Sequence, residues 1–190
     1  MPAQLKPEDK KTLLELARQT LELAARGEKL PELDIATFSL DLQADGASFV
    51  TLTIGGNLRG CIGTLQAYQP LALDVQTRAM QAARQDPRFV PVSPDEVQHI
   101  KIEVSRLSSP VPLVYDSPEQ LRDLLKPGVD GVVLSTGSRS ATFLPQVWEQ
   151  LPDPEQFLSQ LCRKMGCSAN YWKHNKLEVE TYRVEEFSEE

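Results

Sequence analysis

A thiol and a guanidinium stand two residues apart in a glycine-rich stretch, Gly55 to Leu65, which reads GGNLRGCIGTL and holds no other ionisable side chain. On an extended strand side chains alternate, so Leu58, Gly60 and Ile62 face one way while Arg59, Cys61 and Gly63 face the other. Same-face neighbours lie about 7 Å apart at the backbone, a distance that a guanidinium spans. A cation so placed favours thiolate over thiol, which lowers the cysteine pKa and raises the nucleophilic fraction at neutral pH. Arg59 would serve as that cation and as an anion clamp. Gly60 and Gly63 would let a ligand or another backbone approach closely. The same residues also fit plain packing, because cysteine is among the most buried residue types. Three roles therefore stand open for Cys61: nucleophile, ligand contact and core residue.

Other residues join the list of candidates. Glu103 and Ser105 share one face of an alternating segment with Lys101, opposite Ile100, Ile102 and Val104. Glu103 would accept a proton beside the thiol, unless that face is simply a solvated one. Arg88 has a planar donor fork suited to carboxylate or phosphate, or to holding the carbonyls of its own loop. Cys162, Cys167 and His174 do not have the short paired spacing of a structural zinc site, so no metal site is expected. A cysteine–histidine nucleophile would need His99 or His174 beside Cys61, which linear sequence does not place.

Elements must hold these residues. A helix is expected from about Pro7 to Arg26, stopped by Gly27, with a stripe of Leu13, Ala17, Leu21 and Ala24. A short strand is read at Ile35 to Leu40. Phe49 to Ile54 alternates and forms a strand, Gly55-Gly56-Asn57 turns, and Leu58 to Leu65 returns. A helix from about Pro70 to Arg84 buries Leu71, Val75 and Ala79. Three segments place Ser or Asp, then Pro, then Glu or Gln two residues further on, at Ser93, Ser117 and Asp153. Each pattern reads as a capped helix start. Ile100 to Leu107 is a strand, and Gly131 to Ser135 pairs with Ser140 to Leu144 as a second hairpin. Pro154 to Met165 is an amphipathic helix ended by Gly166. Leu177 to Phe187 is read as one long closing strand, irregular near Glu185 and Glu186. Strand pairs alternating with helices give an α+β fold with a mainly antiparallel sheet.

Composition narrows the field. The 190 residues suffice for one sizeable core, read as a single domain over 1–190. The net charge of −7 disfavours nucleic acid and anionic membrane as partners. The first residues lack an apolar signal-peptide core, and no apolar run reaches membrane-span length. Three cysteines in no disulfide-like spacing fit a reducing cytoplasm.

Motifs in order along the chain carry a resemblance. LRGCIGTL, DPRFVPVSPDEV, IKIEVSRLSSP, TFLPQVWEQ and FLSQLCRKMG follow one another between about Phe49 and Trp172. Together they resemble the AmmeMemoRadiSam system protein A family, also called the AMMECR domain. The resemblance implies an α+β fold of two unequal lobes with a cleft, no established activity, and Memo-like and radical SAM proteins as partners. It aligns the family signature with Leu58 to Gly63, the Asp-Pro-Arg-Phe segment with Asp86 to Phe89, and the Glu-Val-Ser strand with Glu103 to Ser105. Cys167 stands where the family more often has an aliphatic residue, which implies a buried substitute.

The expectation is an enzyme, or enzyme component, acting on a small anionic metabolite or modified group. Cys61, Glu103 and Asp86 are the catalytic candidates, and Arg59, Gly60, Gly63, Arg88 and Ser105 the ligand-binding ones. A ligand-binding module or an adaptor is the alternative. The residues name no cofactor and no oligomeric state.

Overall fold

Pro7 opens the first helix, α1 (Pro7–Ala25), where its missing N–H goes unneeded, and Glu8 and Asp9 lie at the positive end of the helix dipole. The chain is seen here as a computed structural model describing residues 4–190. It divides into two compact units. One runs to Leu107 and takes back Glu185–Glu190; the other is Ser108–Val184.

In the first unit, the strand expected over 35–40 is instead a 3-10 turn at Ile35–Thr37 followed by a short helix, α2 (Leu40–Gln43). Asp34 explains the difference, since its carboxylate accepts from Ala36 N at 3.2 Å. A local side-chain bond of this kind competes with strand pairing. Strands β1 (Ala47–Ile54) and β2 (Asn57–Gly63) follow, joined through Gly55 and Gly56. Both glycines have positive φ, 56° and 81°, as the tight twisted hairpin turn requires. Helix α3 (Leu71–Arg84) begins after Pro70, which makes no side-chain cap, and β3 (Ile100–Leu107) leaves a 3-10 turn at Pro94–His99 that carries the expected Ser93/Glu96 capping box. Strand β3 pairs antiparallel with β1 from Ala47↔Leu107 to Ile54↔Ile100. Val50, Leu52, Ile102 and Val104 are fully buried, in one cluster with Leu13, Ala17 and Leu21 of α1 and Val75 and Ala79 of α3.

A polar pin lies within that core. Asp74 is fully buried in α3; its Oδ2 accepts from Ser48 N (2.9 Å) and Ser48 Oγ (2.7 Å) of β1. Its Oδ1 accepts from Gln69 Nε2 (3.0 Å) and from Arg78 Nε (3.1 Å) and Nη2 (3.0 Å). Buried charge is tolerated when lone pairs and counter-charge are both supplied, as they are here.

The second unit contains β4 (Val111–Pro112), α4 (Pro118–Leu124), β5 (Gly131–Thr136), β6 (Arg139–Phe143), α5 (Pro154–Lys164), α6 (Tyr171–His174) and β7 (Glu178–Tyr182). Ser117 and Asp153 cap α4 and α5 through their side chains, as their sequence pattern predicts. The sheet runs β4-β7-β5-β6, with antiparallel pairs. Its core includes Leu134, Trp148, Phe157, Leu158 and Leu161, with the Trp148 and Phe157 rings stacked at 3.6 Å.

The long closing strand expected over 177–187 is two strands. It breaks at Arg183, whose N–H donates to Ser108 Oγ at 2.8 Å, and β8 (Val184–Ser188) joins the first sheet in the order β2-β1-β3-β8. Glu185 then accepts from Leu5 N and pairs with Lys10 at 2.8 Å, while Glu189 holds Arg18 and Ile102 N. The fold is thus α+β, two antiparallel sheets packed with helices. No helix among the described residues is long and apolar enough to cross a membrane.

Replacing Asp74 by Asn keeps the shape but leaves Arg78 buried without its counter-charge. The expected loss is about 3–5 kcal/mol of unfolding free energy, read from urea denaturation. A change under about 1 kcal/mol would show that the pin contributes little.

Candidate functional site

Strand β2 lies at the edge of the first sheet, and pairing places its residues in rows. Cys61 is opposite Thr51, and Thr51 is opposite Glu103, so the three form one row on the face turned away from the α1–α3 core. Thr51 Oγ1 donates to Cys61 Sγ at 3.3 Å. Gly63, Phe49 and Ser105 make the next row.

The simple alternation expected for β2 fails at Arg59. Leu52 pairs with Gly60 but Thr53 pairs with Leu58, so Arg59 is the extra residue of a β-bulge. A bulge bends the strand and re-aims a side chain. Leu58 consequently lies opposite outward-facing Thr53 and is 43% exposed, rather than joining Gly60 and Ile62 on the core side. The freed guanidinium of Arg59 reaches Glu96: Nε to Oε1 at 2.7 Å, Nη2 to Oε2 at 3.1 Å, with Nη2 also on Val90 O at 3.0 Å. The same carboxylate accepts from Ser93 N and Oγ. Arg59, and after it Ser93, hold the Glu96 carboxyl down to about 2. Arg59 Nη1 is buried and has no hydrogen-bond partner among the described residues.

Cys61 presents both of its backbone groups at the open edge. Its N–H donates to Asp86 Oδ2 at 2.9 Å, and its C=O accepts from Arg88 Nη2 at 3.2 Å. Asp86 and Arg88 are themselves joined by Nε to Oδ1 (2.9 Å), Nη2 to Oδ2 (2.7 Å) and Arg88 N to Oδ1 (3.1 Å). One ion pair thereby supplies the donor and acceptor that a neighbouring strand would have supplied. The Arg88 guanidinium, with the Cys61 and Arg88 N–H groups behind it, holds the Asp86 carboxyl far below the usual carboxylate range despite its burial.

These contacts bear on several expected roles. Asp86, expected as an acid/base group, is an ionised backbone clamp with its lone pairs in use at neutral pH. Arg59 serves Glu96, not the thiol. Arg88 is the guanidinium that acts on the sulfur, and it does not prevail: burial pushes the Cys61 thiol up, the Thr51 hydroxyl and Arg88 pull it down, and the Asp86 and Glu103 charges add to the rise. The net direction for Cys61 is upward, which favours thiol over thiolate. The two glycines admit the chain's own atoms: a Cβ on Gly60 would lie 2.3 Å from Ala82 O of α3, and one on Gly63 2.2 Å from the Phe49 ring. Ser105 is buried, while Glu103 is half-buried.

Three residues that sequence reasoning passed over complete the site. Phe89 lies within cation–π range of both guanidiniums, 5.8 Å from Arg59 and 5.5 Å from Arg88. Glu96 was visible only as a helix-capping residue, and Thr51 becomes part of the site only once the register is known. Among the described residues no cluster of three or more His, Cys, Asp or Glu could hold a metal ion.

A family model described as AMMECR1 matches residues 14–187. The chain belongs to the AMMECR1 family. A protein of Methanothermobacter thermautotrophicus is 36% identical over 189 residues, covering 99% of this chain and 98% of its own. Protein Ta0236 of Thermoplasma acidophilum is 34% identical, covering 92% and 84%. The crystal structure of uncharacterized protein PH0010 from Pyrococcus horikoshii is similar with a TM-score of 0.85 and 31% identity, over 98% of this chain and 94% of that one. The AMMECR1 match spans the whole LRGCIG segment and its Asp86–Arg88 and Glu96 partners.

Both site carboxylates have folded-state pKa values depressed below their unfolded ones. Their stabilisation is complete above about pH 4.5 and is lost as pH falls, for Glu96 through about 2. Glu96→Gln should flatten the acid limb of stability against pH, measured by urea denaturation from about pH 5 to about pH 2. A variant whose slope matches that of the wild type would show that the Arg59–Glu96 pair does not persist in solution.

Proposed function

We propose that the first unit of this AMMECR1-family chain is a binding module for a small anionic molecule, taking a ligand oxygen on Arg59 with Cys61 as a neutral contact. The observation that carries this reading is the buried, unpartnered Nη1 of Arg59. An unsatisfied buried donor costs roughly 1–3 kcal/mol, more for a charged group, and a ligand oxygen there would recover it. Arg88, 53% exposed at its side chain, is the second cationic contact, and the Phe89 ring lies in reach of both guanidiniums. Gly60 and Gly63 have no part in ligand approach, since their space is filled.

Inorganic phosphate and acetate are the probes, titrated while the Arg59 Nε–H resonance is followed by NMR. A saturable shift is expected, lost in Arg59→Lys, which keeps the charge but not the fork, and retained in Cys61→Ser. Absence of a saturable shift with either anion would overturn the reading.

A second reading, an enzyme or enzyme component working through Cys61, draws on the Thr51 hydroxyl beside the sulfur and on Glu103 as the next residue of the row. It is separated from the first by iodoacetamide labelling against pH. Cys61 held as thiol labels appreciably only above about pH 8.5; labelling near pH 7 faster than Cys162 and Cys167 would favour the enzyme. Service beside Memo-like and radical SAM proteins rests on the family resemblance. Exposed Leu58 (43%), next to Arg59 in β2, and Val90 (77%), whose carbonyl Arg59 holds, are the apolar surface such a partner would use.

A further inference from the structure

The end of α5 places two cysteines at the two ends of one backbone hydrogen bond. Gly166 takes φ 81°, Cys167 N donates to Cys162 O at 2.9 Å, and Gly166 N donates to Arg163 O at 2.9 Å. This is a Schellman motif, whose side chains at the two ends of the longer bond commonly pack together. Here those side chains are Cys162 and Cys167, positions where the motif ordinarily carries two apolar groups. A backbone bond of this length keeps their Cα atoms within about 6.8 Å, inside the span that a disulfide bridges. Burial pushes the Cys162 thiol up, a backbone hydrogen bond from Trp172 pulls it down, and the Cys167 sulfur adds a smaller rise, so the two sulfurs are in electrostatic reach.

The thiols are not equivalent. Cys162 is fully buried among Phe157, Leu158 and Leu161, whereas Cys167, expected as a buried stand-in for an aliphatic residue, is half-buried at the edge of that cluster. Arg139 Nη1 lies 3.6 Å from Cys167 Sγ and is fixed there by Gly166 O at 3.0 Å. One sulfur is reachable and has a guanidinium beside it. The other waits behind it, enclosed.

We propose that Cys167 and Cys162 form a reversible oxidation site whose substrate is a hydroperoxide. The Cys167 sulfur attacks one peroxide oxygen, an S–O bond forms, the O–O bond breaks, and the departing hydroxide, toward which Arg139 can donate, leaves with the thiol proton as water. Cys162 sulfur then attacks the Cys167 sulfenic acid; the S–S bond forms, the S–O bond breaks, and a second water carries off the Cys162 proton. Two thiols and one hydrogen peroxide thus give one disulfide and two waters. A thiol reductant reverses the state by exchange.

Hydrogen peroxide is added to the whole chain, and intact mass and alkylation of each cysteine are followed. Expected is a loss of two hydrogens, with Cys162 and Cys167 both protected from iodoacetamide, Cys61 still free, and full recovery with dithiothreitol. Cys162→Ala should instead accumulate a dimedone-reactive sulfenic acid at Cys167, and Arg139→Gln should slow the first step while leaving the product the same. Over-oxidation of Cys167 to sulfinic acid without the mass loss, a disulfide between two copies, a bridge involving Cys61, or no reaction would each overturn the proposal. The wild-type measurement decides it even if the core variant fails to fold.

Discussion

The first unit depends on how its edge strand is closed. An edge strand exposes unpaired N–H and C=O groups, which invite pairing with another chain. In β2 that exposure falls at Cys61, and a single Asp–Arg pair from the loop after α3 closes it. A carboxylate and a guanidinium locked face to face present one acceptor and one donor at a fixed spacing, which is what a neighbouring strand residue presents. The proline between them fixes part of the backbone that sets this spacing. The proline-bearing loop after α3 is therefore the continuation of the sheet by side-chain means.

The same closure decides the electrostatics. Two guanidiniums flank the strand that carries the thiol, and only Arg88 acts on the sulfur, where by charge alone it should favour thiolate. Each is instead matched by a carboxylate: Glu96 on Arg59, Asp86 on Arg88. Glu103 then adds negative charge from the Thr51 row. With the cations neutralised, desolvation is the largest influence on Cys61 and sets its direction. Counting cations near a cysteine is thus no substitute for knowing what else each cation touches.

Much of this architecture was legible in the sequence and part was not, for physical reasons. Strands β1 and β3, the hairpin at Gly55-Gly56 and the capped starts at Ser93, Ser117 and Asp153 follow from short-range rules: alternation, positive-φ glycines and first-turn donors. The failures lie where long-range contacts override them. The bulge at Arg59 comes from the register against β1, which no local pattern encodes. The closing strand divides because Ser108 catches Arg183, residues 75 positions apart. Asp74 and Arg78 escaped notice because a helix stripe is read from apolar residues, and a buried ion pair one turn apart looks like two surface charges. At the site, the thiol and both arginines were identifiable by type, but their partners were not.

What remains of the LRGCIG segment once folding has accounted for its share is small and specific. Gly60 is required by Ala82 O of α3, and Gly63 by the Phe49 ring. The Cys61 backbone is required by the edge closure, and Arg59 Nε and Nη2 by Glu96 and Val90. None of these demands needs sulfur at position 61, because any side chain of similar size leaves the backbone bonds to Asp86 and Arg88 intact. None needs the third guanidinium nitrogen at position 59 either, since burying it unpaired costs stability that a shorter side chain would not forfeit. A sulfur and a donor unexplained by packing, on one strand two residues apart, are what a ligand would have to explain.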